Sequence, residues 1–180
     1  MQVMGDLMMS TIQKISALDT LAFNWLQSYR HMHSRTADWS RWVSKLGDGF
    51  LYLVLGCLFA IFDSVDGFAF LTEGLVVFAI ELPLYFLLKN SIKRDRPCSK
   101  KGVVAVISPS DRFSFPSGHT AAAFAFAVTL SSFYPDLSLI AYLLALAIGF
   151  SRVMLGVHYP TDIAAGAGLG FFSSYMAQLI

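Results

Sequence analysis

Long apolar stretches separated by short polar segments fill the chain from about residue 47 onwards. An α-helix needs roughly 20 mostly apolar residues to cross the hydrocarbon core of a bilayer, and a helix satisfies its own backbone hydrogen bonds there. The pattern therefore predicts an all-α, polytopic transmembrane helical bundle. Its five predicted spans are residues 47–62, 68–88, 117–134, 137–155 and 160–180, the first of them short unless residues 39–46 extend it.

The segment before the first span has apolar residues at helical spacing with polar residues between them. This pattern predicts an amphipathic helix at the membrane interface over residues 11–29, and a sixth span is the alternative. We expect one domain over residues 1–180, with an interfacial region at 1–46 and a helical bundle at 47–180. The apolar positions of the amphipathic helix are Ile12, Ile15, Leu18, Ala22, Trp25 and Leu26.

Composition favours a membrane protein over a soluble one. Hydrophobic residues make up 56% of the 180 residues and charged residues 14%, whereas soluble domains average about 45–50% and about 25%. The mean hydropathy is +0.59. After Arg112 the charged residues are Asp136, Arg152 and Asp162 alone. Because a charge inside a bilayer is costly, each of them must lie at an interface, in a loop or in a polar cavity.

Counting turns along the five spans places three segments at one membrane face: the N-terminal region, the polar loop 90–115 and the turn 155–160. Most of the polar residues that can carry chemistry lie in or beside these segments, so we expect them to converge. Glu73 and Glu81 lie instead inside the second span. An acid in a span is a functional candidate, and pairing within the bundle is the alternative.

Two clusters at that face have the residues to bind an anion. Lys89 ends the second span and Arg96 follows in the loop. An ammonium and a forked guanidinium near one point can bind a phosphate. Interfacial anchoring by the two cations is the alternative.

Ser117, Gly118 and His119 open the third span, where unpaired backbone N–H groups and the helix dipole favour an anion. Gly118 permits close approach and His119 can donate a proton near neutral pH. A helix cap with an incidental histidine is the alternative.

The third cluster consists of Arg152, His158 and Asp162. With Pro160 in the first helical turn, His158 precedes the fifth span and Asp162 lies in its first turn. A carboxylate four residues on can hold an imidazole tautomer and raise its basicity. A favourable charge at a helix start would explain Asp162, but neither Arg152 nor His158.

In order and spacing, the three clusters resemble the signature motifs of the type 2 phosphatidic acid phosphatase (PAP2) superfamily. The motifs are Lys89-x6-Arg96-Pro97, Pro116-Ser117-Gly118-His119 and Ser151-Arg152-x5-His158-x3-Asp162. The resemblance implies an integral membrane lipid phosphatase that uses no metal and no other cofactor.

The resemblance also implies a role for each site residue. His158 would attack phosphorus and form a phosphohistidine, and Asp162 would hydrogen-bond to His158 and orient it. His119 would protonate the leaving oxygen and then help to activate water. The phosphate oxygens would be held by Lys89, Arg96, Ser117, the Gly118 amide and Arg152. Phosphoryl transfer depends mainly on such positioning and charge stabilisation.

The resemblance leaves undecaprenyl pyrophosphate, phosphatidylglycerophosphate, phosphatidic acid and other lipid phosphates open as substrates. The short chain and small loops indicate a minimal bacterial enzyme, and we favour an undecaprenyl pyrophosphate-type substrate for it. The expected partners are this lipid phosphate or pyrophosphate and membrane lipid, with no nucleic acid, and the oligomeric state stays open. The aromatic residues Phe113, Phe115, Phe124 and Phe126 are candidates for a lateral entry route of the lipid tail, with ordinary packing as the favoured alternative.

The predicted location is the bacterial inner membrane, where two indications of orientation oppose each other. Basic residues concentrate on the active-site face and Asp63, Asp66 and Asp136 lie in the opposite turns, which by the positive-inside rule places the site in the cytoplasm. The family resemblance implies the extracytoplasmic face. We favour that face because phosphate binding accounts for part of the basic charge.

Two other functional classes compete with a phosphatase. A membrane transporter or channel would also keep Glu73, Glu81 and Arg152 in its spans. It would not need His119, His158 and Asp162 at these spacings. A vanadate-dependent haloperoxidase would share the anion site, but the hydropathy of the chain argues against that normally soluble class.

Overall fold

The computed structural model describes the backbone of residues 2–32 and 35–180 and the side chains of residues 13–30 and 35–180. Met1, His33 and Ser34 of the predicted N-terminal region lie outside the described residues, as does the side chain of Ile12. The described residues form no β-strand, which confirms the all-α prediction. Their seven α-helices are α1 (Gln2–Met32), α2 (Arg35–Lys45), α3 (Gly49–Phe62), α4 (Gly67–Ile92), α5 (Gly118–Phe133), α6 (Ser138–Met154) and α7 (Pro160–Ala177).

Two stretches in the described part of the chain are by themselves long and apolar enough to cross a membrane. They are α4 and residues Pro135–Met154, which include α6. The helices α2 and α3 would add a third if taken together as one span with a 51° bend. Residues 39–46 therefore do not extend the first predicted span in a straight line: most of them belong to α2, which is set at an angle to α3.

Close contact between α5 and α7 places the N-terminal ends of these two helices side by side. A Cβ atom on Gly166 would lie 2.5 Å from the carbonyl oxygen of Ser117, and one on Gly170 would lie 2.6 Å from that of Ala121. Glycines four residues apart on one helix face allow such an approach. The contact joins the second and third sequence clusters, because the Ser117 N–H donates to the Asp162 carbonyl oxygen at 3.0 Å.

The N-terminal helix α1 packs against α6 and α7 through polar side chains and through the buried ring of Phe23. Gln27 donates to the Val153 carbonyl oxygen at 2.7 Å, and Asp19 is 4% exposed. The predicted apolar face points the other way, with Leu18 65% and Trp25 71% exposed. An apolar outer face and a polar inner face suit a helix that lies between lipid and a polar site.

Contacts between the N-terminal region, the loop 90–115 and the turn 155–160 confirm that they share one end of the bundle. Arg41 donates to the Val106 carbonyl oxygen at 3.0 Å, and the Val106 N–H donates to the Leu155 carbonyl oxygen at 3.0 Å. At the other end, the Tyr134 hydroxyl bonds Asp63 at 2.8 Å, which joins the two acidic turns.

Candidate active site

The cations of the first cluster meet at an unpredicted carboxylate. Lys89 ends α4, where its Nζ lies 2.9 Å from Asp111 Oδ2 and also bonds the Tyr85 hydroxyl. Arg96 approaches the other oxygen, with Nη2 2.9 Å from Asp111 Oδ1. Burial by itself would raise the pKa of Asp111, but hydrogen bonds and charge from Lys89 and Arg96 outweigh it and hold that pKa below its usual value. The loop residue is therefore an anionic partner for both cations.

The imidazole of His158 lies against Arg96. Its Nε2 is 3.2 Å from Arg96 Nη1. Because a guanidinium can only donate, Nε2 must be the acceptor and the ring proton must be on Nδ1. Burial lowers the pKa of His158 to about 4, and the positive charges of Arg152 and Arg96 add to that effect. The ring is therefore neutral at ordinary pH, with the Nε2 lone pair directed towards the cations.

Asp162 lies beside the opposite nitrogen of that ring but does not form the predicted hydrogen bond to it. The distance from His158 Nδ1 to Asp162 Oδ2 is 3.7 Å, and Nδ1 makes no hydrogen bond with any described residue. The same Oδ2 accepts the Tyr159 backbone N–H at 2.8 Å as part of a capping box at the start of α7. A small movement of the ring would bring Nδ1 within hydrogen-bond distance of a carboxylate that is already fixed.

Arg94, two residues before Arg96, holds the other oxygen of Asp162. Its Nη1 lies 2.8 Å from Asp162 Oδ1, and its Nη2 lies 2.5 Å from Asp19 Oδ2 on α1. Asp19 in turn accepts the Thr161 backbone N–H at 3.0 Å. Charge-assisted bonds of this kind are short and directional, so Arg94 ties α1 to the first turn of α7.

His119, on the first turn of α5, forms an unpredicted pair with Asp48. Its Nε2 is 3.0 Å from Asp48 Oδ1, and Asp48 precedes α3 at the bend after α2. Ser117 is fully buried and its hydroxyl accepts from Thr120 at 2.9 Å. A Cβ atom on Gly118 would lie 3.0 Å from the Tyr85 ring. The glycine therefore makes room for a tyrosine of the first cluster, as well as leaving its amide at the helix start.

Arg152 approaches the site from the last turn of α6. Its Nη1 donates to the Ser44 hydroxyl of α2 at 2.6 Å. Its Nε is buried and has no hydrogen-bond partner among the described residues. A buried guanidinium donor without an acceptor is costly, so this position is suited to an anion.

Two cavities of different character meet at His119 and Asp48. One, of about 420 Å³, has mostly polar and charged walls, in which the cations Arg41, Lys45 and Arg152 outnumber the acids Asp38 and Asp48. The other, of about 470 Å³, lies between α3, α4 and α5 and is lined mainly by apolar side chains. The predicted proton donor is thus located between a cationic chamber and an apolar one.

The structure brings the three predicted clusters together through direct contacts. Lys89 contacts Tyr85, which packs on Gly118; Ser117 bonds the backbone of Asp162; and His158 contacts Arg96. Within the described residues, no three His, Cys, Asp or Glu side chains are grouped to hold a metal ion. Sequence reasoning missed the partners that complete the arrangement. They are Asp19, Ser44, Asp48, Arg94 and Asp111.

One usable sequence signal existed for some of these missed residues. Asp19 is an acid within an apolar helical pattern, and Arg94 is an additional arginine within the first motif. Asp48, Ser44 and Asp111 are polar residues in polar surroundings, and no spacing distinguishes them from ordinary surface positions.

Comparison with known proteins identifies the family. Residues 68–179 match the family described as PAP2 superfamily. Phosphatidylglycerophosphatase B of Bacillus subtilis (strain 168) is 34% identical over 115 residues, which are 58% of this chain and 54% of that protein. The undecaprenyl-diphosphatase of Sulfolobus acidocaldarius is 27% identical over 140 residues, 77% of this chain and 67% of that protein. For the first four curated relatives, the match spans between 29% and 54% of the relative's length.

The fold has a counterpart among solved structures. The crystal structure of Aquifex aeolicus LpxE superposes with a TM-score of 0.80 at 26% sequence identity. The superposition covers 91% of this chain and 96% of that one. The likeness therefore extends over most of the residues that precede those matched by the family.

Proposed function

The chain belongs to the PAP2 superfamily, and we propose on this basis that it is an integral membrane phosphatase that hydrolyses a lipid phosphate or pyrophosphate. The observation that carries the proposal is the position of Arg96 Nη1, 3.2 Å from His158 Nε2. This distance supports the proposal because a guanidinium, which suits phosphate oxygens, lies next to the nitrogen that would attack phosphorus. Lys89, Arg152, Ser117 and the Gly118 amide complete the proposed phosphate site.

In the first step, the Nε2 lone pair of His158 attacks phosphorus and the bond from phosphorus to the leaving oxygen breaks. The imidazole becomes positively charged, and Asp162, 3.7 Å from Nδ1, stabilises that charge. His119 donates its proton to the leaving oxygen, which departs as the lipid alcohol or, from a pyrophosphate, as the lipid monophosphate. The guanidinium groups of Arg96 and Arg152 neutralise the charge on the equatorial oxygens.

In the second step, water attacks the phosphohistidine. His119, now neutral and held by Asp48, accepts a proton from the water as the N–P bond breaks. Inorganic phosphate and neutral His158 are released, and His119 is again protonated. The enzyme therefore returns to its starting protonation state with no covalent intermediate left, and no redox partner is needed.

The exposed apolar surface supports placement in a membrane. Contiguous apolar surface on this scale is unusual for soluble proteins. It supports our proposal of five spans, in which α3, α5 and α7 cross within the bundle beside α4 and α6, with α1 at the interface. Outward-facing residues include Ile61, Phe68, Leu139, Leu143 and Phe150, which are 51–74% exposed.

The apolar cavity beside His119 supports a lipid as substrate. It lies next to the proposed phosphate site and is lined by side chains such as Leu53, Leu75 and Phe78, which suit the hydrocarbon adjoining a phosphate. Of the four aromatic residues predicted for an entry route, Phe126 lines this cavity, whereas Phe124 packs in the core.

Phosphate release by the purified protein in detergent tests the proposal. The panel contains undecaprenyl pyrophosphate, the substrate that sequence reasoning favours, together with phosphatidylglycerophosphate and phosphatidic acid. We expect release from at least one lipid, loss of release in His158→Ala, and normal release in Cys57→Ser, a change at an exposed position on α3. Full activity in His158→Ala would contradict the proposed nucleophile, and inactivity towards all lipids would favour a transporter or channel.

We also propose an inner-membrane location with the site on the extracytoplasmic face. Cys98, partly exposed in the loop beside the site, reports on this orientation. In intact cells, a membrane-impermeant maleimide should label Cys98, and Cys98→Ser should remove the label. Labelling that appears only after the cells are opened would place the site in the cytoplasm.

A further inference from the structure

The apolar cavity contains one acidic side chain that the proposed mechanism does not use. Glu81 lines its wall on α4 and is 2% exposed. It lies one helical turn before Tyr85 and two turns before Lys89, about 6 and 12 Å along the helix axis. The acid is therefore deeper in the bundle than the proposed phosphate site, on the side where the lipid would extend.

No hydrogen bond or ion pair joins the Glu81 carboxyl to any residue whose side chain the structure describes. Its neighbours along the cavity are mainly apolar, among them Leu82 and Phe78, and the hydroxyl-bearing Tyr85 lies one turn further along α4. A buried carboxyl, whether protonated or charged, is costly without a hydrogen-bond partner. Packing does not require a carboxyl there, because leucine has a similar size and would suit the apolar wall better.

We propose that Glu81, as the protonated acid, donates a hydrogen bond to an oxygen of a polar group in the backbone of the lipid substrate, between its phosphate and its hydrocarbon. This inference rests on the proposed function and names the class of lipid. The group is a hydroxyl, amide or ester, as in glycerolipids or in lipids built on an amide or a sugar. A prenyl chain has no such group and would leave the carboxyl without a partner, so Glu81 argues against the undecaprenyl pyrophosphate-type substrate that the sequence analysis favours.

Paired substrates with the same scissile bond test the assignment. Dioctanoyl phosphatidic acid carries esters next to its phosphate, whereas farnesyl phosphate carries only hydrocarbon, and both are phosphomonoesters. For the wild type and each variant, the ratio of kcat/KM for the two substrates is measured in detergent. The ratio does not depend on the fraction of protein that is folded, so a partly unfolded variant still gives an answer.

We expect Glu81→Leu to lower kcat/KM for dioctanoyl phosphatidic acid about tenfold, the effect of one buried hydrogen bond, and to leave farnesyl phosphate within about twofold. Glu81→Gln, which keeps hydrogen-bonding capacity, should retain most of the selectivity. Glu73→Leu, on the same helix but outside the cavity lining, should leave the ratio unchanged.

An unchanged ratio in Glu81→Leu, or a larger loss with farnesyl phosphate, would overturn the assignment while the proposed function stands. A wild type that hydrolyses neither these substrates nor any lipid of the wider panel would overturn the proposed function, and this assignment with it.

Discussion

The bridge that Arg94 forms between Asp19 and Asp162 provides a quantitative test of how the site is built. The two carboxylates are 1% and 0% exposed, and the arginine side chain is 24% exposed. Removing one member of a buried ion pair costs about 3–5 kcal/mol because the remaining charge stays buried. Since water partly screens Arg94, we expect Arg94→Gln to lower the free energy of unfolding by about 3 kcal/mol.

The bridge should also affect catalysis, because it is one of two hydrogen-bonding contacts that described residues make with the Asp162 carboxylate. Arg94→Gln leaves the Tyr159 N–H bond and removes the bond to Oδ1. We expect kcat to fall about tenfold, the equivalent of about 1.4 kcal/mol, with KM within about twofold. A residue that served only to support the fold would leave kcat per folded molecule unchanged.

A double-mutant cycle with Asp19→Asn separates the bridge from unrelated damage. The double variant Asp19→Asn/Arg94→Gln no longer has the Asp19 charge that Arg94→Gln alone leaves uncompensated. Its loss of unfolding free energy should therefore be about 1–3 kcal/mol smaller than the sum of the losses in the two single variants. Chemical unfolding in detergent gives these values, and kinetics are measured where all variants are folded. Lys93→Gln, an exposed neighbour with the same change of charge, is the control. If the loss in the double variant equals the sum of the single-variant losses to within about 0.5 kcal/mol, the coupling between Asp19 and Arg94 is refuted.

Three further predictions concern the groups around the proposed nucleophile. Because the pKa of His158 is lowered to about 4, its ring stays neutral through pH 5, and protonation of His158 should cause no loss of kcat/KM near pH 6.5. Below pH 6.5 the unfolded chain binds a proton at this histidine that the native chain does not. Unfolding should therefore become easier as the pH falls towards 4. Asp111→Asn should lower KM several-fold, since a substrate phosphate would no longer compete with a carboxylate for Lys89 and Arg96, whereas a higher KM would mean that Asp111 chiefly positions these cations. Arg152→Lys should reduce kcat/KM at least tenfold in the phosphate-release assay, because lysine cannot reproduce a forked contact, and wild-type kinetics would contradict its proposed role.

Local sequence patterns predicted the helices and the convergence of the three clusters, because both depend on short-range information. The apolar runs define α3 to α7 within a few residues, and Pro160 marks the start of α7 correctly. The sequence pattern predicted the geometry of His158 and Asp162 only in part. Their spacing predicts proximity, but the capping bond to Tyr159 and the bridge to Arg94 keep the carboxylate 3.7 Å from the ring.

What the sequence did not reveal depends on contacts between distant segments. The sequence predicts only an amphipathic helix at the interface for this region, whereas Asp19 of α1 faces the site because Arg94 and Thr161 compensate its burial. Asp48 reaches His119 because of the bend between α2 and α3, and nothing in the composition of residues 45–49 specifies that angle. Such pairings join residues about 70 to 140 positions apart, beyond the reach of any periodicity.

The location of His119 between a polar and an apolar chamber has a consequence for how a turnover would end. Under the proposed mechanism, the dephosphorylated lipid can retreat sideways into the bilayer, while inorganic phosphate departs through the cationic mouth towards water. Separate exits mean that neither product has to wait for the other to clear. They also mean that phosphate accumulating in solution would compete for the basic mouth without hindering the return of the lipid to the membrane.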